Sequence, residues 1–123
     1  MTDSALIIQW GATAPGRERK AVELFGETLR FLTGLVTNGR VASVEPFFLQ
    51  PHGGNVEGFF IMRGDRDELN KIRGEDDFQR YSVRAQAVVQ NFGVIEAITG
   101  EQLNKHMAWF ADAARAADAD PHP

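Results

Sequence analysis

The sequence contains no cysteine. That single absence removes disulfides, thiolate metal ligands and cysteine nucleophiles together, and it suits a reducing compartment. Histidine is scarce. His52, His106 and His122 are dispersed without metal-ligand spacing, so no metal site is expected. No apolar run approaches the roughly 20 residues that span a bilayer. Asp3 also places an acid where a secretory signal would carry positive charge. Basic residues are not in excess: 13 Lys and Arg stand against 17 Asp and Glu, for a net charge of −4. Phosphate backbones select clustered Lys and Arg, and the short cluster Arg17, Arg19 and Lys20 is interrupted by Glu18, which reads as a solvated helix start. Nucleophile-elbow, dinucleotide and zinc motifs are missing too. The expectation is a cytoplasmic protein with no cofactor and no nucleic-acid or membrane partner.

What the chain does have is an ordered change of hydrophobic period. Ala5–Trp10, Val41–Gln50, Val56–Arg63 and Phe92–Thr99 read as strands, and Arg17–Val36 and Arg66–Gln90 as helical regions. In the first helix Val22, Phe25, Leu29, Leu32 and Val36 form one apolar stripe, with Leu24, Phe31 and Leu35 beside it. Asn38-Gly39 supplies a left-handed stop. Pro51-His52-Gly53-Gly54-Asn55 reads as a hairpin loop; no Gly-Lys-Ser/Thr follows, so it is not a phosphate loop. The Arg63-Gly64-Asp65 tripeptide has a local role, Asp65 and Glu68 having capping-box spacing. Gly74 is expected to break the second helical region, with Asp76 or Asp77 capping a longer piece that carries Phe78, Tyr81, Ala85, Val88 and Val89. A last helix follows Thr99, with Leu103, Met107, Phe110 and Ala114 on one side.

The order strand, helix, strand, strand, helix, strand is the split βαβ pattern of a ferredoxin-like α+β sandwich with an antiparallel four-stranded sheet, here with an extra C-terminal helix. At 123 residues and 43% hydrophobic content the chain is one domain, read as residues 1–115 with a frayed tail over 116–123. The strands do not alternate as a sheet with one wet face would. Ile7-Ile8, Phe47-Phe48 and Phe59-Phe60 put bulk on both faces, and two helices can cover only one. By the parity of the charges, Val44, Phe48, Phe60, Met62, Ile95 and Ala97 are expected to face the helices. Ser43, Glu45, Phe47, Leu49, Glu57, Phe59, Ile61, Arg63, Val94, Glu96 and Ile98 are expected on the other face, with Arg63 diagonal to Glu45. The first strand could turn either parity to that face.

By the order of its elements over about residues 5–99, the chain resembles the dimeric α+β barrel superfamily, in which a second subunit closes such a face. The resemblance implies a homodimer. The superfamily includes cofactor-independent monooxygenases, YCII-like proteins and haem-handling enzymes, so the fold does not choose an activity. The His–Asp pair typical of YCII-like proteins has no clear counterpart here.

Charges turned into a barrel must be paired, hydrated or used on a ligand. Glu45 and Glu96 are therefore candidate proton acceptors, and Arg63 a candidate clamp for an anionic oxygen. His52 in the hairpin loop is a further candidate base. Trp10, Phe59 and Tyr81 could line a pocket for a flat ligand. Two readings stay open. One is a homodimer whose barrel pocket holds a small organic molecule, acting as a cofactor-independent enzyme of proton-transfer or monooxygenase type. The other is a non-enzymatic binding or interaction protein with a filled barrel core. The last helix competes with dimerisation, since it could fold back over the open face.

Overall fold

A computed structural model describes residues 3–119. Its elements run β1 (Ser4–Trp10), α1 (Glu18–Thr37), β2 (Ser43–Phe48), β3 (Gly58–Gly64), α2 (Arg66–Gly74), α3 (Asp76–Val88), β4 (Gly93–Ile98) and α4 (Gly100–Ala119). The strands form one antiparallel sheet in the order β2-β3-β1-β4. The helices α1, α2 and α3 cover one face of it, and the second helical region is two helices, as Gly74 predicts.

Local chemistry sets the boundaries. At the end of α1, Gly39 takes φ 75°. Its N–H donates to the Val36 carbonyl at 3.0 Å, and Arg40 N–H donates to the Leu35 carbonyl at 2.9 Å. That pair of bonds is a Schellman stop. Asp65 caps α2, its carboxylate accepting from Glu68 N–H at 3.1 Å. Between α2 and α3, Glu75 is extended, and it rather than Asp76 or Asp77 stands at the α3 N-cap. The two inner strands β3 and β1 carry the core: Phe60 and Met62 from one, Leu6 and Ile8 from the other. Leu32 and Leu35 of α1, Leu69 and Ile72 of α2, and Phe78 of α3 close over them. Val22, expected in the α1 stripe, is instead 74% exposed. The stripe is rotated so that Leu24, Leu32 and Leu35 are the residues α1 buries.

Register decides the faces. Glu45, Ile61, Ile7 and Ile95 lie in one row across the sheet, and Phe47, Phe59 and Gln9 in the next. The open face of β2 and β3 is therefore the one charge parity predicts, and β1 adds Ile7 and Gln9 to it. On β4 the expectation is reversed. Glu96 pairs with buried Leu6, and Val94 with Ile8, so both lie on the helix side, while Ile95 is open and 43% exposed. The reason is an ion pair that parity could not reveal. Glu96 accepts from Arg66 Nε at 3.2 Å, at the start of α2, so the acid is satisfied at the edge of the helix layer.

Helix α4 does not fold back over the open face. It buries none of its residues, and it continues to Ala119, past the position where a tail was expected to begin. Residues 120–123, with His122, lie outside the described residues.

Candidate functional site

A cavity of about 440 Å³ opens between α1, α3 and the helix-side face of the sheet. Aromatic side chains make most of its wall. On the sheet side Trp10, Phe48 and Phe60 meet Phe25 of α1, with Phe25 stacked on Phe60 at a centroid distance of 5.3 Å and Trp10 edge-on to Phe25 at 5.9 Å. On the helix side Phe31 of α1 stacks on Tyr81 of α3 at 4.9 Å, and Phe78 lies deeper. Arg84 sits over the Tyr81 ring at 5.5 Å and reaches Glu27 of α1, fastening the two helices.

The indole of Trp10 has its place because residue 58 is glycine. Gly58 is its partner across the sheet, and a Cβ there would come within 2.6 Å of both the Trp10 ring and the Phe47 carbonyl. The mouth is framed by the loop after β1. Ala14 N–H donates to the Val88 carbonyl at 2.8 Å, and Gln90 N–H to the Ala12 carbonyl at 2.8 Å, which ties that loop to the end of α3. Residues with polar side chains on the wall are few: Thr13, Glu18, Thr28, Tyr81 and Ser82. Ser82 Oγ is already committed to the Phe78 carbonyl at 3.1 Å.

The residues singled out from the sequence fall into separate places. Trp10 and Tyr81 line the cavity. Phe59 lies on the opposite face of the sheet, stacked on Phe47 at 5.0 Å. Arg63 and Glu45 form an ion pair on that open face, side chains 38% and 50% exposed. Glu96 belongs to the helix side, with Arg66, so the grouping of Glu45, Glu96 and Arg63 in one barrel pocket does not form.

His52 is built into the hairpin loop. Its Nδ1 accepts from Gly54 N–H at 3.1 Å, which puts the proton on Nε2, and Nε2 donates to the Val56 carbonyl at 2.7 Å. Both ring nitrogens are thereby used on the turn. His106 lies on α4, its Nδ1 at 2.9 Å from the Gln102 carbonyl. Among the described residues no cluster of three or more His, Cys, Asp or Glu is placed to hold a metal.

The strongest electrostatic cluster is elsewhere. Arg40 donates Nε to Glu68 at 2.7 Å, and both terminal nitrogens to the Glu75 carboxylate at 2.7 and 2.8 Å. The hydrogen bonds from Arg40 hold the Glu75 carboxyl below the usual glutamate range, and those same bonds raise the Arg40 guanidinium above its own. This network joins the end of α1 to α2 and to the α2–α3 junction, and none of its residues lines the cavity.

No family model and no curated protein matches the sequence. Solved structures do match the fold. An ethyl tert-butyl ether D (EthD) family protein from Bacillus halodurans superposes with a TM-score of 0.60 at 12% identity, over 80% of this chain and 99% of that one. A Bacteroides fragilis protein described as dimeric, of unknown function and ferredoxin-like fold, gives 0.56 at 8% identity, over 77% and 95%. A Pseudomonas aeruginosa protein gives 0.50 at 22% identity, over 81% and 96%. The fold is ferredoxin-like. At these identities the likeness is one of backbone alone, and the ferredoxin-like frame assigns no chemistry.

Most of this aromatic wall is not evident from the sequence, where Phe25 and Phe31 read as helix stripe and Phe48 and Phe60 as strand bulk. The signal that could have found them is the density of rings at one end of the molecule: Trp10 at the end of β1, Phe48 at the end of β2 and Phe25 in the first half of α1.

Proposed function

We propose that this protein binds a small, largely apolar, ring-containing molecule in the cavity between α1, α3 and the sheet, and that it works as a homodimer joined through the open sheet face. The cavity carries the first half of this reading. Its volume of about 440 Å³ falls within the roughly 300–1,000 Å³ of small-molecule sites. Its walls combine ring faces with a few hydroxyls, the mixture that holds an aromatic ligand and orients one polar substituent. The site therefore lies inside each protomer and not in a barrel between two. Any proton transfer within it would use the Tyr81 hydroxyl, or Glu18 near the mouth, because Glu45, Arg63 and His52 lie elsewhere and are engaged. The second half rests on the open face, where Phe47, Phe59, Ile7, Ile61 and Ile95 form an apolar surface that no element among the described residues covers.

The test uses Trp10 as reporter in a Trp109→Phe background, which leaves it the only tryptophan. Titration with 2-naphthol, a flat bicyclic ring with one hydroxyl, should change Trp10 emission saturably in the micromolar range. Ala85→Phe, which places a bulky ring on the cavity wall without adding a second tryptophan, should abolish the response while leaving far-UV circular dichroism and melting nearly intact. An equal response in both proteins would refute the cavity as the binding site.

A further inference from the structure

Helix α4 presents an apolar stripe that is exposed among the described residues of its own chain. Leu103, Met107, Phe110 and Ala114 recur at intervals of four, three and four, so they align on one side of the helix. Leu103 is 42%, Met107 57% and Phe110 70% exposed. Glu101, Lys105, Asp112 and Arg115 fall on the opposite side. The chain turns sharply into the helix: Thr99 N–H donates to the Asp3 carbonyl at 2.9 Å, and Gly100 takes φ 57° between β4 and α4. Most helices in proteins are held by packing of an apolar face rather than by propensity, and this one buries no residue against the described residues of the protomer.

We propose that the α4 stripe packs against a second copy of this chain, as an arm that extends the interface centred on the open sheet face; this rests on the dimer reading above. Area is the argument. Four strands about 4.8 Å apart and six residues long at about 3.3 Å each give the sheet a footprint of roughly 400 Å². A stable interface takes about 800 Å² from each partner. The sheet alone falls short, and α4 supplies the missing surface. Its 20 residues make a rod of about 30 Å, whose exposed side offers area of the same order as the sheet's own footprint. Charge argues against an anionic membrane as the occupant. The polar side carries Glu101 and Asp112 against Lys105 and Arg115, without the cationic excess of a lipid-seeking helix.

The experiment compares full-length wild type with a Met107→Glu, Phe110→Glu double variant and with Ala108→Glu on the charged side. Sedimentation gives the dimer constant, and hydrogen exchange reads the protection of residues 100–119. The double variant should weaken association by at least about tenfold and lose protection in α4. Ala108→Glu should do neither. Amide protection of α4 should also vanish in an Ile61→Asp monomer or, should that variant not fold, on dilution of wild type below its dimer constant. Association of the double variant as tight as wild type would overturn the arm and leave the sheet-face dimer standing, as would protection of α4 retained in a monomer. A wild type that stays monomeric at tens of micromolar would overturn the dimer itself, and the arm with it.

Discussion

Ile61 is the position at which the dimer reading is most exposed to refutation. It lies on β3, an inner strand, in the middle row of the open face, between Glu45 on β2 and Ile7 on β1. Within one protomer it is half-buried. Complete burial of an isoleucine is worth about 1.5–3 kcal/mol, so closing the face has roughly 1 kcal/mol left to gain from it. A polar group forced into the seam without a partner costs a further ~1–3 kcal/mol. In a two-fold interface each copy contributes the same loss, so Ile61→Asp should cost roughly 4–8 kcal/mol of association, or about three to six orders of magnitude in the dimer constant. Aspartate also stands directly across from Glu45, and like charges in a cross-strand pair destabilise the protomer by themselves. Ile61→Asn removes that ambiguity, since it is polar without the charge. Sedimentation over a concentration series should show both variants as folded monomers where wild type is dimeric, with the asparagine variant melting close to a wild-type monomer. Should Ile61→Asn associate within about tenfold of wild type, the open face is not the interface, and the apolar rows of β3 and β1 need another explanation.

Four further outcomes follow from the geometry. Arg63→Met should weaken the dimer more than the double variant Arg63→Met, Glu45→Gln does, because the single change strands a carboxylate in the seam; equal effects would mean the pair stays in water. Gly58→Ala should destabilise by about 1–3 kcal/mol and shift Trp10 emission, since its Cβ has no space beside the Trp10 ring and the Phe47 carbonyl; a neutral result by urea unfolding would refute the close packing. Gly34→Ala, in the interior of α1 with nothing within 4 Å of the added carbon, should instead stabilise by up to about 1 kcal/mol. Glu75, whose carboxyl is held low in the folded state by Arg40, contributes stability above the ordinary glutamate range and loses it as pH falls through the depressed value; the melting difference between wild type and Glu75→Gln should therefore shrink on acidification below about pH 4.5, the unperturbed glutamate value, and a difference that is constant with pH would show that the Arg40 contact is not what stabilises.

The order of elements was legible because each transition in hydrophobic period carries its own chemical punctuation. Asn38-Gly39 stops α1, Asp65 with Glu68 opens α2, and Gly74 separates α2 from α3; these are local effects that a linear reading can follow. The faces of β2 and β3 were legible for a related reason. Period-two patterning, together with a hairpin, leaves one register in which Phe47, Phe59 and Ile61 agree. The parity of β1 was not legible, because Leu6, Ile7 and Ile8 are equally apolar. Only the pairing of Leu6 with Met62 and of Ile7 with Ile61 decides it.

The β4 reversal and the misplaced site have a common physical origin. Charge parity assumes that a carboxylate avoids the helix-packed face, and that holds in the middle of a sheet, where no cation can reach it. At an edge strand the helix layer ends, and a residue such as Arg66 at the start of α2 can meet Glu96 while both stay partly in water. One edge contact therefore inverted the reading of a whole strand and drew Glu96 into a barrel pocket that the register does not build. The cavity went unseen for the converse reason. Phe25, Phe31, Phe48 and Phe60 belong to three different elements and read, one at a time, as ordinary core. They frame a cavity because α1 and α3 meet through Phe31 and Tyr81 at the rim rather than through a filled seam. A space left by imperfect closure between helices has no residue type of its own. Its sequence trace is an excess of rings at one end of the fold, and that trace becomes visible only when Trp10, Phe48 and Phe25 are brought within 6 Å of one another, centroid to centroid.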